Sequence, residues 1–592
     1  MKLRTLLGPT DRPAPRTNLR ALAITAAFSF VAVSLIGYVN SGCVSLVVWS
    51  SNEKADLLVE IADRYNAGGP MVDRRCVRVE VVKKASGDAE LALTRPENEI
   101  PQRPDVWWPA AKTWVLLLQH HRAKLPSIVP AVYASLIQSP LVIAMPQQAA
   151  QALKDKGEVA GWGSILKLAQ DPEGWARYGK PWGRFRLGKT NPTISTSGLH
   201  ALIGTYNAAT HKTDPLTVED IRRNDAQSFV KGVESSVVHY GHTVETFLTN
   251  LWNADDAGDA LSYVSAVAVE EKQAFDYNRG NPASDLCPSS QCPRLAPKEK
   301  LVALYPAEGT LMADHPYVVL DWSHTDAEHR QAALDFRGHL ETRAVQDGFL
   351  LEGFRGPDGQ PGVGVLPESN FRRQLGLILP PPDPAVLAEI QGSWSALRKR
   401  ANLLIAIDVG QSMRDIVPDQ NLSKLELAKH AAKEALTLLE DDDEVGLWTF
   451  STRAEGDRAY REILPIARLG ADRRLLELRI DALETETGKR QLFSAVLSGV
   501  EYVRSRLEPD RINAMVVLSN GLDEGSQVDF YDLVSRLRKQ PNDARVRVFT
   551  IAYSAFSGAL RQIAEASPGA FYDAYPEAST IKKVLRDVIS NF

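Results

Sequence analysis

The 592 residues carry 68 lysines and arginines against 73 aspartates and glutamates, a formal net charge of −5. No global basic field would gather DNA or RNA, which excludes nucleic acid as the main partner. The length is several times that of a usual domain, and 44% hydrophobic with 24% charged residues is the composition of folded protein, so two or three separate cores are expected.

Residues 1–20 are basic, with Lys2, Arg4, Arg12, Arg16 and Arg20 against a lone Asp11. Residues 21–39 (ALAITAAFSFVAVSLIGYV) then hold no charged side chain, over roughly the 20 residues that a helix needs to cross a bilayer. The positive flank belongs inside. We therefore expect 1–20 in the cytoplasm, 21–39 as a single-pass signal anchor in the cell membrane, and the large remainder outside the cytoplasm. A cleaved signal peptide is the competing reading, although its apolar core is normally about 7–15 residues and ends in a small-residue cleavage site.

The four cysteines form two candidate disulfides, Cys43 with Cys76 and Cys287 with Cys292, which suits an oxidising compartment. Cys43 and Cys76 open the apolar strands 44–49 (VSLVVW) and 77–82 (VRVEVV), and neighbouring parallel strands would bring the two sulfurs together. Lipidation of Cys43 is the alternative, with Asn40 standing where that signal usually has a Leu-like residue.

From 44 to 378 strands alternate with amphipathic helices, as in an α/β domain with a parallel sheet. Strand 44–49, helix 53–65, strand 77–82, a strand at 105–108 leading into helix 113–121, and a buried strand at 140–144 follow in order. The proline run over 379–384 cannot sit inside a regular element and opens a linker over 379–401, with a helical connector at 386–398. A second α/β series fills 402–592. Strands are expected at 402–408, 444–450, 514–519, 546–553 and near 571–573, and helices at 424–439, 473–483, 493–507, 531–539, 560–566 and 579–589, the order of a doubly wound, Rossmann-like sheet.

In the first series Ser50 and Ser51 sit at a strand-to-helix turn, Ser86 and Gly87 follow the next strand, and Ser195, Thr196 and Ser197 precede a helix at 199–207. Each group offers backbone N–H groups and hydroxyls where a helix begins. One alone is an ordinary helix cap, but their recurrence at successive strand ends makes a ligand cleft. These segments resemble the type II periplasmic solute-binding fold of bacteria, a two-lobed clamshell. The resemblance implies lobe 1 over about 44–141 and 317–378, lobe 2 over about 142–316, and a small-molecule or anionic solute between them.

Residues 404–413 (LIAIDVGQSM) resemble the first strand and turn of the von Willebrand factor A (VWA) family. That family binds Mg²⁺ with an Asp-x-Ser-x-Ser turn, a Thr from a second loop and an Asp from a third. Asp408 and Ser412 match, whereas Gly410 replaces the first Ser, Arg490 falls where the Thr belongs and Asn520 replaces the Asp. Losing a carboxylate and gaining a cation works against a divalent ion, so no cofactor is expected, with Mg²⁺ held through a shifted Thr487 as the residual candidate. The same placement puts Arg490 in position to pair with Asp408.

Phosphate-loop, zinc-protease and nucleophile-elbow motifs are absent. His120 and His121 are adjacent and cannot share a helix face. Glu270-Glu271 reads as a solvated helix start, because sequence neighbours point apart, and 441–444 as a polar turn. The expectation is a non-enzymatic, membrane-tethered receptor or sensor whose VWA module engages an envelope or extracellular protein. The alternative is an adhesion or assembly scaffold acting through that module with no solute.

Overall fold

The computed structural model describes residues 42–592 apart from 159–160, 286–294, 323–324, 363–370, 418–420, 452–457, 542–543, 554–556, 568, 575–583, 585–587 and 590. The anchor expected over 21–39, the Cys287–Cys292 pair and most of the helix expected over 579–589 lie outside the described residues. Among the described residues no helix is long and apolar enough to cross a membrane.

The first sheet runs, in spatial order, Met71–Val72, Arg75–Lys83, Val44–Ser50, Val106–Trp108, Pro316–Val319 and Ala134–Ser135. Val44, Leu46 and Val48 alternate inward with Trp108 against Phe336 and Leu340 of the helix Ala327–Leu340. Val44 lies opposite Val77 in a parallel pair, so Cys43 and Cys76 stand side by side, Cα atoms 4.4 Å apart, and form a disulfide.

The second sheet runs Leu301–Leu304, Ser139–Pro146, Ala266–Glu270, Leu187–Thr190 and Val237–Gly241. Ser139–Pro146 is buried at every residue, the pattern of a strand covered on both faces. Its pairing begins at Ser139, with Met312–Ala313 beside it, so Pro140 and Leu141 belong to the second lobe and not the first. The chain therefore crosses between lobes at 136–138 and returns between Ala313 and Pro316.

The third sheet runs Tyr460–Arg468, Glu444–Phe450, Arg400–Asp408, Arg511–Ser519, Arg547–Ala552 and Phe571–Asp573, parallel except for the first strand. Tyr460–Arg468 has no counterpart in the expected elements. Its register slips around Pro465, opposite Gly446, where a side chain would meet the backbone nitrogen of Ile466 at 2.9 Å. A proline at a bulge of an edge strand leaves no central ladder bond unmade.

The helix Pro384–Leu397 joins the three parts. It packs on Lys112–His121 of the first lobe and on Thr196–Thr210, Val218–Arg222 and Asn224–Glu234 of the second, then leads directly into strand Arg400–Asp408. Glu389 takes both guanidinium arms of Arg222 at 2.7 and 3.0 Å, and Gln391 donates to the carbonyl of Pro192 at 3.0 Å. One apolar core consequently runs from Trp114 and Leu118 through Leu387, Ile390 and Trp394 into Leu403 and Ile405 of the third sheet.

Candidate functional site

The strand-end hydroxyls converge where the lobes meet. Ser51, Ser86, Ser195 and Thr196 line a cavity of about 20 Å³ together with Glu53, Thr243, Glu245, Glu270 and Gln273. That volume suits one water-sized group. Ser50 lies beneath, its hydroxyl donating to the carbonyl of Ser51 at 3.2 Å, and Ser197 exchanges hydrogen bonds with Ser195 and Thr190, both at 3.2 Å.

Most of these hydroxyls are committed to the protein. Ser86 accepts from the backbone of Ala110 at 3.1 Å, Thr196 accepts from the indole of Trp114 at 2.8 Å, and Ser51 donates to the carboxylate of Glu53. Lys54 donates to Ser51 and lies 3.3 Å from Glu53 and 3.2 Å from His315 Nδ1. Burial pulls the Lys54 ammonium down, opposed by Glu53, and burial with the Lys54 charge drives His315 well below its ordinary range. Glu270 is pushed well above the usual carboxylate range by burial and by Glu53.

The reading of Glu270-Glu271 as a solvated start is corrected. The two side chains do point apart, but both directions are enclosed: Glu270 lines the cavity at 2% exposure, and Glu271, at 1%, grips Arg355. The 441–444 turn is likewise not wholly polar surface, since Asp443 is buried against Arg398.

Direct contacts hold the lobes together. Gly87 donates its N–H to the carbonyl of Ile194 at 2.9 Å, and a Cβ at Gly87 would fall 2.2 Å from the carbonyl oxygen of Thr193. Gly87→Val is therefore expected to wedge the lobes apart, at a cost of about 1–3 kcal/mol. Small-angle scattering should show a larger radius of gyration; an unchanged profile with unchanged stability would refute the tight contact.

Outside this seam a funnel of about 1170 Å³ opens, sharing Asn52, Ala85, Thr243 and Glu245 with the inner cavity. Its walls come from all three parts, the third contributing Glu434, Arg561 and Phe571. Lys84 sits over the Trp49 ring at 3.7 Å on one side, and Arg561 over Phe571 at 4.2 Å on another.

At the strand ends of the third sheet, the groups expected around a metal bond to one another. Asp408 accepts from Gly410 N–H and from the Ser519 hydroxyl, each at 2.9 Å, and the Asn520 amide donates to the Ser412 hydroxyl. Arg490 lies beside Glu524 at 3.3 Å and reaches Asp408 only as a more distant positive charge, so the direct Arg490–Asp408 pair is not formed. The donors turned toward Ser412 and Asp408 are the hydrogen-bearing groups of Asn520, Gly410 and Ser519. Among the described residues no three His, Cys, Asp or Glu side chains stand at metal-ligand spacing.

The sequence carried no local sign that His315 partners Lys54, since it lies 261 residues away. Glu53 was the accessible clue, one acidic residue inside the first turn after Ser51.

Comparison with known proteins finds several similar chains. An uncharacterized protein of Mycobacterium tuberculosis is 24% identical over 547 residues, covering 89% of this chain and 73% of that protein. Among solved structures, the sulfate-binding protein SubI from Mycobacterium tuberculosis is 15% identical, with a TM-score of 0.36 over 60% of this chain and 98% of its own. A von Willebrand factor type A protein from Catenulispora acidiphila is 18% identical, with a TM-score of 0.27 over 33% of this chain and 42% of its own. A family model described as bacterial extracellular solute-binding protein matches residues 46–355, and the chain belongs to that family.

Proposed function

We propose that the chain is a non-enzymatic, extracytoplasmic binding protein, tethered through its N-terminal segment, in which a solute-receptor clamshell is mechanically coupled to a VWA-like module that engages an envelope or extracellular protein. The observation that carries this reading is the helix Pro384–Leu397, which rests on both lobes and continues into the third sheet. A hinge motion between the lobes must slide at least one of them over that helix, so a solute that favours one lobe angle also favours one placement of the third module. The Cys43–Cys76 disulfide supports an oxidising location outside the cytoplasm.

Spin labels on Leu91 of the first lobe and Leu478 of the third module, both about half exposed, test the coupling. A solute from a panel of ammonium, sulfate, phosphate and neutral sugars that raises the melting temperature should also shift the inter-label distance. Stabilisation with an unmoved distance would separate the two modules and defeat the reading.

A second reading, a solute-free scaffold acting through the third module, is favoured by the small cavity and the Gly87–Ile194 contact across it. It expects no member of the panel to stabilise the protein, because a ligand that binds only the folded form adds RT ln(1 + [L]/Kd) and a non-binder adds nothing.

A further inference from the structure

The seam between the lobes holds carboxylates that the surrounding groups leave incompletely satisfied. Lys54 answers Glu53. Glu270 spends one oxygen capping the helix Glu271–Asn278, while Oε2, buried, makes no hydrogen bond and faces the equally unpartnered Nε2 of His315 at 3.7 Å. Glu245, on the helix Val244–Asp256, accepts from the Thr243 hydroxyl and from its own backbone N–H and takes a longer bond of 3.3 Å from Gln273. Glu53, Glu245 and Glu270 all border the same cavity of about 20 Å³.

We propose that the solute taken here presents a compact protonated amine, an ammonium-type head group, to Glu270 and Glu245; this rests on the receptor reading and names its ligand class. The head group supplies only donors, and the cavity wall supplies chiefly acceptors: carboxylate oxygens, and the hydroxyl oxygens of Ser195 and Thr243. Burial and Glu53 favour the neutral form of Glu270, and an ammonium group beside it would favour the carboxylate, to which charge-assisted hydrogen bonds are the strong ones; Oε2 has its capacity unused. An oxyanion needs the reverse. Ser51 donates to Glu53, whereas Ser86 and Thr196 accept from Ala110 and Trp114 and keep their hydroxyl hydrogens; an oxyanion bonded to those would still lie against the acidic side chains of Glu53, Glu245 and Glu270 in the same cavity. A metal ion fits less well, because no three His, Cys, Asp or Glu side chains among the described residues stand at metal-ligand spacing. The funnel outside gives the remainder of such a solute room to extend.

The test is thermal melting of the purified full chain with ammonium chloride and methylammonium chloride, each against sodium chloride of equal ionic strength, with sodium sulfate and sodium phosphate as further arms. At saturating amine a rise of about 2–4 °C or more is expected, lost in Glu270→Gln and reduced in Glu245→Gln. If Glu270→Gln does not fold, Glu245→Gln carries the comparison, since that side chain is only partly buried. No rise beyond sodium chloride, or a rise that both variants keep, overturns the proposal. A rise with sulfate or phosphate but not with amine overturns the ligand charge and leaves the receptor reading standing.

Discussion

Arg355→Ala is expected to destabilise the protein by about 3–5 kcal/mol. The guanidinium is fully buried and makes a fork-to-fork pair with Glu271, Nε to Oε1 at 2.8 Å and Nη2 to Oε2 at 2.7 Å. Its remaining donors reach the carbonyls of Gly359, Arg372 and Arg373 at 3.0, 2.6 and 3.3 Å. Removing it strands the Glu271 carboxylate, 1% exposed, beside the Tyr305 hydroxyl with no cation. The backbone of Arg355 is also paired both ways with Gln138, in the segment where the chain crosses between lobes. The loss should therefore appear both as a lower denaturation midpoint and as increased hydrogen exchange at 136–138. Arg355→Met with Glu271→Gln should recover much of the loss, because no unpaired charge is then left behind. A single substitution that costs less than about 1 kcal/mol would mean that water reaches Glu271.

Asp443→Ala is expected to cost a similar amount, about 3–5 kcal/mol, and to change the shape of the transition. Asp443 is buried and receives the Arg398 guanidinium along with the N–H groups of Ala401 and Glu440, both at 2.7 Å. Arg398, 5% exposed, ends the connecting helix and also donates to the Phe592 carbonyl at 3.0 Å. Without the Asp443 carboxylate the Arg398 guanidinium, at the point where the connector enters the third sheet, keeps the oxygens of Lys399 and Phe592 but loses its side-chain carboxylate. Calorimetry should then split one cooperative endotherm into two, with the third module melting first. A single transition displaced downward would instead show that the shared apolar core alone enforces cooperativity.

The strands were largely readable from sequence, because runs such as 44–49, 402–408 and 514–519 combine apolar periodicity with β-branched residues, and the Cys43–Cys76 pairing followed from their parallel starts. Tyr460–Arg468 was not, since an edge strand with a proline and mixed charges matches no template. The cleft was half legible. Residue types placed hydroxyls at helix starts, and Glu53 beside Ser51 is local, but the other groups that engage them, Trp114 and Ala110, depend on chain segments brought together by the fold. Glu270 shows the limit clearly: local geometry separates it from Glu271 as expected, and only the opposing lobe decides that both are buried.

The insertion of one lobe within the other bears on the order of synthesis. Pro316–Val319 lies between Val106–Trp108 and Ala134–Ser135, so the first sheet stays incomplete until about 180 further residues have emerged. The second lobe, continuous in sequence from Ser139 to Ala313, can form while its host waits with an open strand edge. Cys43 and Cys76 are 33 residues apart and both emerge early, so their covalent bond is available to hold Val44–Ser50 against Arg75–Lys83 during that interval. The disulfide is thereby placed to guard a nascent sheet as well as a finished one.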